Sequence, residues 1–182
     1  MQNFLPNKGH YQSLIVYKVS ESIYDIAFYF AQTYLQRGDR TVDQMVQAAR
    51  SCKQNIVEGS AASTMSSETE LKLMNVAKAS LQELLQDYQD YLRVRGMEQW
   101  RYDDPRCQQT RRALCHHDDS RYYREAIRKR SDETIANIAL TMIHQEDVML
   151  RRLIERLKAD FLKNGGIWEQ MSKARREQRG KG

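Results

Sequence analysis

Glycine and proline are scarce in this chain, and that scarcity constrains its fold more than any other sequence feature. The 182 residues include 8 glycines and 2 prolines, less than half of the roughly 12% that average usage predicts. Sandwiches, barrels and doubly wound sheets need turns rich in these residues at short intervals, so the scarcity argues against all three. It also argues against glycine-rich phosphate-binding loops. What remains is a fold of a few long helices with few connections.

Composition indicates a globular protein with a basic surface. Hydrophobic residues make up 41% of the chain, and no apolar stretch is long enough to span a membrane. The first residues lack the pattern of a signal peptide and the three cysteines form an odd count, so we expect reduced thiols and a cytoplasmic location. The net charge of +5 is compatible with an acidic partner, most commonly nucleic acid, and equally with an inert basic surface.

Hydrophobic periodicity predicts four long amphipathic helices. Apolar residues recur every three or four positions in four segments, and a glycine follows each segment. The predicted helices cover 11–37, 41–58, 67–95 and 131–163, and they end before Gly38, Gly59, Gly96 and the run Asn164-Gly165-Gly166. Short links make neighbouring helices antiparallel. The sequence therefore predicts an all-α, antiparallel up-down four-helix bundle.

Local signals predict where several helices begin. Thr41-x-x-Gln44 and Ser67-x-x-Glu70 match capping boxes, and residues 60–66 between these helices form a predicted small-residue loop. The apolar face of the last helix is wider than one packing partner needs. That width indicates either a neighbouring subunit against the helix or a central position of the helix in its own bundle.

A basic insertion and a basic tail divide the chain into parts. Residues 97–130 are rich in arginine and poor in aliphatic residues, and they predict two short, mostly surface helices, opened by Asp104-Pro105 and by Asp118-Asp119-Ser120. Three parts result: a flexible arm (1–10), the bundle with its 97–130 insertion (11–163), and a basic suffix (164–182).

Catalytic and metal-binding motifs are missing from the sequence. Glu-x-x-His, His-Glu-x-x-His, Gly-x-Ser-x-Gly and phosphate-loop patterns do not occur. The spacing of Cys107, Cys115, His116 and His117 fits no common zinc site, and surface positions are the simpler interpretation. Cys52 falls on an apolar stripe and is predicted to be a small buried hydrophobe. We therefore expect a protein that is not an enzyme and has no metal or cofactor.

Candidate phosphate contacts lie in the insertion and in the suffix. They are all basic: Arg121, Arg124, Arg128, Lys129, Arg130, Lys173, Arg175, Arg176 and Arg179. Tyr122 and Tyr123 lie between Arg121 and Arg124 and are candidates for stacking on bases, whereas the other tyrosines are predicted to be core or interface residues. No base-reading motif accompanies them, so binding should have little sequence specificity.

Residues 44–59 carry a resemblance to a known family. Asn55-Ile56-Val57-Glu58-Gly59 resembles the Asn-Ile-Ala-Glu-Gly signature of the four-helix bundle proteins encoded in intervening sequences of bacterial ribosomal RNA. The runs 69–92 and 165–175 are similar to the branch of that family with a C-terminal suffix. On residue type alone, Asn55 and Glu58 suit hydrogen bonding across helices or to the following loop better than catalysis.

The resemblance implies an assembly and partners. Relatives resemble the accessory protein of diversity-generating retroelements, which implies a homo-oligomer, most simply a pentamer, and structural roles for Asn55, Ile56, Glu58 and Gly59. The expected function is a non-enzymatic accessory protein that binds RNA or DNA, with a reverse transcriptase or another protein as a further candidate partner and no membrane. The alternative is a protein–protein interaction scaffold that binds no nucleic acid.

Overall fold

The computed structural model of the protein is all-helical, as predicted. It describes residues 15–63, 65–117, 119–165 and positions 169, 171, 172, 175 and 176, and it contains no strand within them. The predicted arm, 1–10, lies outside the described residues. The described helices are α1 (Ile15–Tyr34), α2 (Arg40–Ala62), α3 (Ser67–Val94), α4 (Pro105–His116), α5 (Ser120–Ile127) and α6 (Asp132–Asn164).

The four long helices share one hydrophobic core. Helices α1 and α3 each contact both α2 and α6, while the short helices attach at the outside, α5 to α1 and α4 to α6. Aromatic rings join α1 to α3 at the centre, where the ring of Phe30 lies 5.1 Å from that of Tyr88 and 4.7 Å from that of Tyr91. The predicted pair of short helices in 97–130 is confirmed as α4 and α5.

Helix α6 has a wide apolar face because several helices of its own chain cover it. Every residue in 135–143 is buried, and α1, α3 and α4 all contact α6. Asn137 attaches the segment before α4 to this helix: its side chain donates to the carbonyl of Glu98 at 2.8 Å and accepts from the backbone N–H of Trp100 at 2.7 Å. The width of the face is therefore explained within one subunit.

Side-chain caps begin the helices, although two of them differ from the predicted residues. Asp39, not Thr41, caps α2 by accepting a hydrogen bond from the backbone N–H of Thr41 at 2.9 Å. Ser66, not Ser67, caps α3 by accepting from the N–H of Thr69 at 3.1 Å. In both cases an earlier Asp or Ser already satisfies an N–H that the first turn leaves open, so the helix begins before the predicted cap.

The caps predicted for α4 and α5 are confirmed, and a serine cap starts α6 at the predicted position. Asp104 and Asp119 cap α4 and α5, and Ser131 caps α6 by accepting from the N–H of Thr134 at 3.3 Å. Asp118, the other residue predicted at the start of α5, lies outside the described residues.

Glycine follows α6 directly and α3 after its C-cap, whereas α1 ends four residues before Gly38 and α2 continues past Gly59. Gly38, Gly96 and Gly165 have φ angles of 90°, 65° and 69°, a left-handed conformation that residues with a Cβ rarely adopt. Helix α1 ends at Tyr34, a few residues before the predicted Arg37. The prediction that Gly59 ends α2 is wrong, because the helix continues to Ala62 and shortens the predicted 60–66 loop.

Close packing of α3 against α2 explains why Gly59 lies inside a helix. A Cβ at this position would lie 3.1 Å from Cε of Met74 and 3.3 Å from Cβ of Leu73. The missing side chain of Gly59 therefore lets α2 and α3 pack closely, and this glycine does not end its helix.

Candidate nucleic-acid interface

Helix α5 presents a basic surface because only two of its side chains face the core. Tyr123 and Ile127, four residues apart, are buried on the side that faces α1. This spacing places them on one face of the helix. The carboxylate of the N-cap Asp119 accepts a hydrogen bond from the N–H of Arg121 at 2.8 Å, which fixes the first turn.

The predicted basic residues of this segment all lie on the surface. We call this set the α5 basic segment, and its members are all exposed: Arg121, Arg124, Arg128, Lys129 and Arg130. Arg124 lies 3.5 Å from the carboxylate of Asp25 on α1. Among the residues that the structure describes, the other four cations have no carboxylate within ion-pair distance. The segment therefore presents mostly unneutralised positive charge to solvent.

Hydrogen bonds order the turn that follows α5. The hydroxyl of Tyr34 donates to the carbonyl of Arg130 at 3.0 Å, and Nε of Arg130 donates to the carbonyl of Ala126 at 3.0 Å. The backbone of Arg130 is thus tied to α1, and its side chain is tied to α5.

The predicted basic residues of the suffix are only partly described. Arg175 and Arg176 are exposed, and Nε of Arg176 donates to the carbonyl of Ser172 at 3.4 Å. Lys173 and Arg179 lie outside the described residues. The structure shows no contact that joins the described suffix arginines to the α5 basic segment.

One of the two candidate stacking tyrosines is buried. Tyr123 is 3% exposed and its hydroxyl donates to the carbonyl of His117 at 3.0 Å, so the prediction that it stacks on bases is wrong. Its neighbour Tyr122 is 40% exposed and stacks on the imidazole of His117, with ring centroids 3.8 Å apart and planes at 10°. Adjacent residues on a helix point in different directions, so the packing of α5 against α1 covers the ring of Tyr123 and leaves that of Tyr122 exposed.

A cavity opens beside Tyr122 between α4, α5 and the start of α6, and we call it the α4–α5 cavity. Its volume is about 160 Å³. Aromatic, amide, hydroxyl and guanidinium groups all contribute to its walls, among them Trp100, Arg106, Gln109, Thr110, Tyr122 and Arg130. No local pattern in the sequence indicates this cavity, because it exists only where the two short helices meet α6.

The family-like motif lies at the contact between α2 and α3. Asn55 donates to the carbonyl of Ser51 at 2.8 Å, and the hydroxyl of Ser80 on α3 donates to that of Ser51 at 2.9 Å. Ile56 is fully buried, whereas Glu58 is exposed. Asn55 therefore bonds within its own helix, and Ser51 rather than Asn55 or Glu58 makes the bond across helices.

A buried carboxyl group lies in the core, where the sequence analysis did not place one. Glu146 on α6 is fully buried, and the Cys52 thiol on α2 lies 3.9 Å from its Oε1. Burial raises the pKa of Glu146 well above its ordinary value. Burial, with the Glu146 charge adding to it, also raises the pKa of the Cys52 thiol. Both shifts favour the protonated forms, and a protonated thiol is a poor nucleophile.

The remaining cysteines and histidines form no metal centre in the described residues. Cys107 is buried on the side of α4 that faces α6, so the surface position predicted for it is wrong, and Thr141 donates to its sulfur at 3.6 Å. Cys115, His116 and His117 are exposed, as predicted. Nowhere in the described part of the chain do three His, Cys, Asp or Glu side chains form a group that could hold a metal ion.

The fold and this surface define an all-helical protein with a basic surface helix beside an aromatic cavity. Comparisons with known proteins found no matching family model, no matching curated protein and no matching solved structure. The family resemblance of residues 44–59 therefore stays a prediction. Among the described helices, none is both long and apolar enough to cross a membrane.

Proposed function

We propose that this chain is a non-enzymatic accessory protein that binds RNA or DNA with little sequence specificity through the α5 basic segment. The observation that carries the proposal is the clustering of four exposed cations without a carboxylate partner in the described residues: Arg121, Arg128, Lys129 and Arg130. Each contact between such a cation and a phosphate releases a condensed counterion, which drives binding and makes it depend on salt. Contacts of this kind position a strand without reading its sequence.

The proposed architecture is an antiparallel four-helix bundle with α4 and α5 on its outside. Its support is the closed series of contacts, α1 with α2, α2 with α3, α3 with α6 and α6 with α1. Four helices around one core make these contacts, and the short links between the first three favour antiparallel neighbours.

We also propose that copies of the chain associate, with the pentamer of the family resemblance as the expected assembly. Support comes from an acidic groove between α2 and α3, opposite in charge to the α5 basic segment. Asp43, Glu83 and Asp87 line this groove. Burial raises the pKa of Asp87, with the charges of Asp90 and Glu83 adding to it, so a cation in the groove would relieve their repulsion. A basic surface and an acidic groove on one subunit suit head-to-tail contacts between copies.

Direct binding measurements test the proposed function. Fluorescence anisotropy with labelled single-stranded RNA, single-stranded DNA and duplex DNA of mixed sequence should show binding of all three at low salt. Affinity should fall by at least about tenfold between 50 and 200 mM salt, and changing the sequence should alter it little. Absence of binding at low salt, or binding that salt does not weaken, would contradict the proposal.

A protein–protein scaffold remains the alternative, and exposed apolar residues on α1 favour it. Ile15 and Phe28 are about half exposed, and the ring of Phe28 lies 6.3 Å from that of Tyr24. Capture of partners from the native host with and without nuclease separates the two functions. Partners such as a reverse transcriptase that survive nuclease, together with no direct nucleic-acid binding, would favour the scaffold.

A further inference from the structure

The α4–α5 cavity is sized for one small planar group. Its volume of about 160 Å³ is below the roughly 300–1,000 Å³ of clefts that hold drug-sized ligands. Its walls carry both ring faces and hydrogen-bonding groups, including Tyr122, Gln109 and Thr110. A ligand for this cavity is therefore flat, small and polar at its edge.

One wall of the cavity carries a buried donor without an acceptor. Trp100 lines the cavity and is 9% exposed, and its indole N–H finds no hydrogen-bond acceptor among the described residues. The guanidinium of Arg106 lies over its ring, 4.8 Å from the centroid, and is itself neutralised by Asp104 at 2.7 Å. The indole N–H itself is shielded from solvent, so this wall contributes the Trp100 ring with the Arg106 guanidinium over it.

Tyr122 provides an oriented ring at the cavity. The imidazole of His117 stacks on one face of the Tyr122 ring and fixes its plane, while 40% of the residue stays exposed. An aromatic ring held in one orientation stacks on a nucleobase at little entropic cost, and this contact tolerates any base.

Arg130 connects the cavity to the α5 basic segment. It lines the cavity, and its hydrogen bond to Ala126, another lining residue, holds its stem along the wall. In the described residues no carboxylate lies within ion-pair distance of it. A strand whose phosphates follow the α5 basic segment would thus pass the mouth of the cavity.

We propose that the α4–α5 cavity receives one unpaired base of a nucleic-acid strand that the α5 basic segment holds, so the protein prefers single strands to duplexes. This inference rests on the proposed function. In a duplex the bases are paired and stacked, and none can enter the cavity without the cost of unpairing. In a single strand each base has a free face, so any base can enter and sequence specificity stays low.

A comparison of three labelled probes tests the inference: a mixed-sequence single strand, its duplex, and an abasic strand of equal length. Anisotropy at matched salt should show the single strand bound at least about fivefold more tightly than either other probe, the gain expected from one stacked base. Tyr122→Ala should abolish that preference and leave duplex affinity unchanged. Ala113→Leu, which fills the cavity from α4, should do the same.

Control measurements separate this inference from the proposed function. Tyr102→Ala removes a tyrosine outside the cavity that is even more exposed, 70% against 40% for Tyr122, and should keep the preference. Equal binding of all three probes by the wild type would overturn the inference while the proposed function stands, whereas no binding of any probe would overturn both.

Discussion

Glu146 shows how one buried side chain sets the pH dependence of a helical core. The carboxyl is fully buried, and its Oε2 has no hydrogen-bond partner among the described residues. A charged carboxylate there would lose its hydration without compensation. The native state therefore keeps the proton well above the pH at which an unfolded glutamate releases it.

This raised pKa predicts that stability falls as pH rises. The unfolded chain releases the proton above the ordinary pKa of 4.5, and the native state retains it, so the free energy of unfolding decreases between that pH and the native pKa. The full slope contributed by this group is about 1.4 kcal/mol per pH unit. Glu146→Gln should remove this contribution, which urea unfolding at pH 5, 6, 7 and 8 would measure. Equal pH slopes for both proteins would contradict the assignment.

Two tyrosines on α3 offer a matched test of buried hydroxyl groups. The hydroxyl of Tyr88 is buried and finds no partner in the described part of the chain, whereas that of Tyr91 donates to Asp132 at 2.8 Å. Tyr88→Phe should leave stability unchanged or raise it by about 1 kcal/mol, and Tyr91→Phe should lower it by about 1 kcal/mol. Thermal unfolding of both variants measures the difference. The same loss of stability in both variants would contradict the prediction, because it would show that hydrogen bonding does not distinguish the two hydroxyl groups.

At the scale of elements, the contact between α2 and α3 depends on the missing side chain of Gly59. Gly59→Val should lower the free energy of unfolding by about 2–3 kcal/mol, because the new atoms overlap Met74 and Leu73. Ala61→Val, at an exposed position of the same helix, should cost less than about 1 kcal/mol, the propensity of a β-branched residue. Chemical denaturation of the two variants tests this prediction. Similar losses of unfolding free energy in the two variants would contradict it, because they would mean that α3 moves away from α2 to make room for the new side chain.

The sequence predicts the helices well where the signal is local. Apolar periodicity and the caps Asp104 and Asp119 are read within one turn of the chain, and the structure has helices in each predicted segment. Gly59 was misread because a glycine that permits close packing looks the same in sequence as one that ends a helix. The difference lies in α3, which the local pattern does not contain.

Residues of the site were harder to predict where docking of short helices decides exposure. The cations of the α5 basic segment are exposed as expected, because charge keeps them in solvent. Tyr123 and Cys107 are buried because α5 docks on α1 and α4 docks on α6. Glu146 was missed because a carboxylate is usually solvated, although it lies three and four residues from the buried Ile143 and Leu150 and so shares their face.

For the whole molecule, the distribution of charge matters more than its sum. The net charge of +5 is modest. Even so, the α5 basic segment gathers exposed cations on one short helix and the turn that follows it, while Asp43, Glu83 and Asp87 share the groove between α2 and α3. The positive field of the α5 basic segment can steer a polyanion to that surface. The negative field of the groove between α2 and α3 can orient copies of the chain toward each other.

The salt dependence of single-strand binding tests the central claim most directly. The variant Arg128→Gln/Lys129→Gln/Arg130→Gln is compared with Arg50→Gln/Lys72→Gln/Arg93→Gln, which removes the same charge from exposed positions of α2 and α3. Each phosphate contact contributes about 0.7 to the slope of log affinity against log salt for a single strand. The account predicts that the first variant lowers that slope by about 2 while the second keeps the wild-type slope. Equal slopes for the two variants would contradict binding through the α5 basic segment.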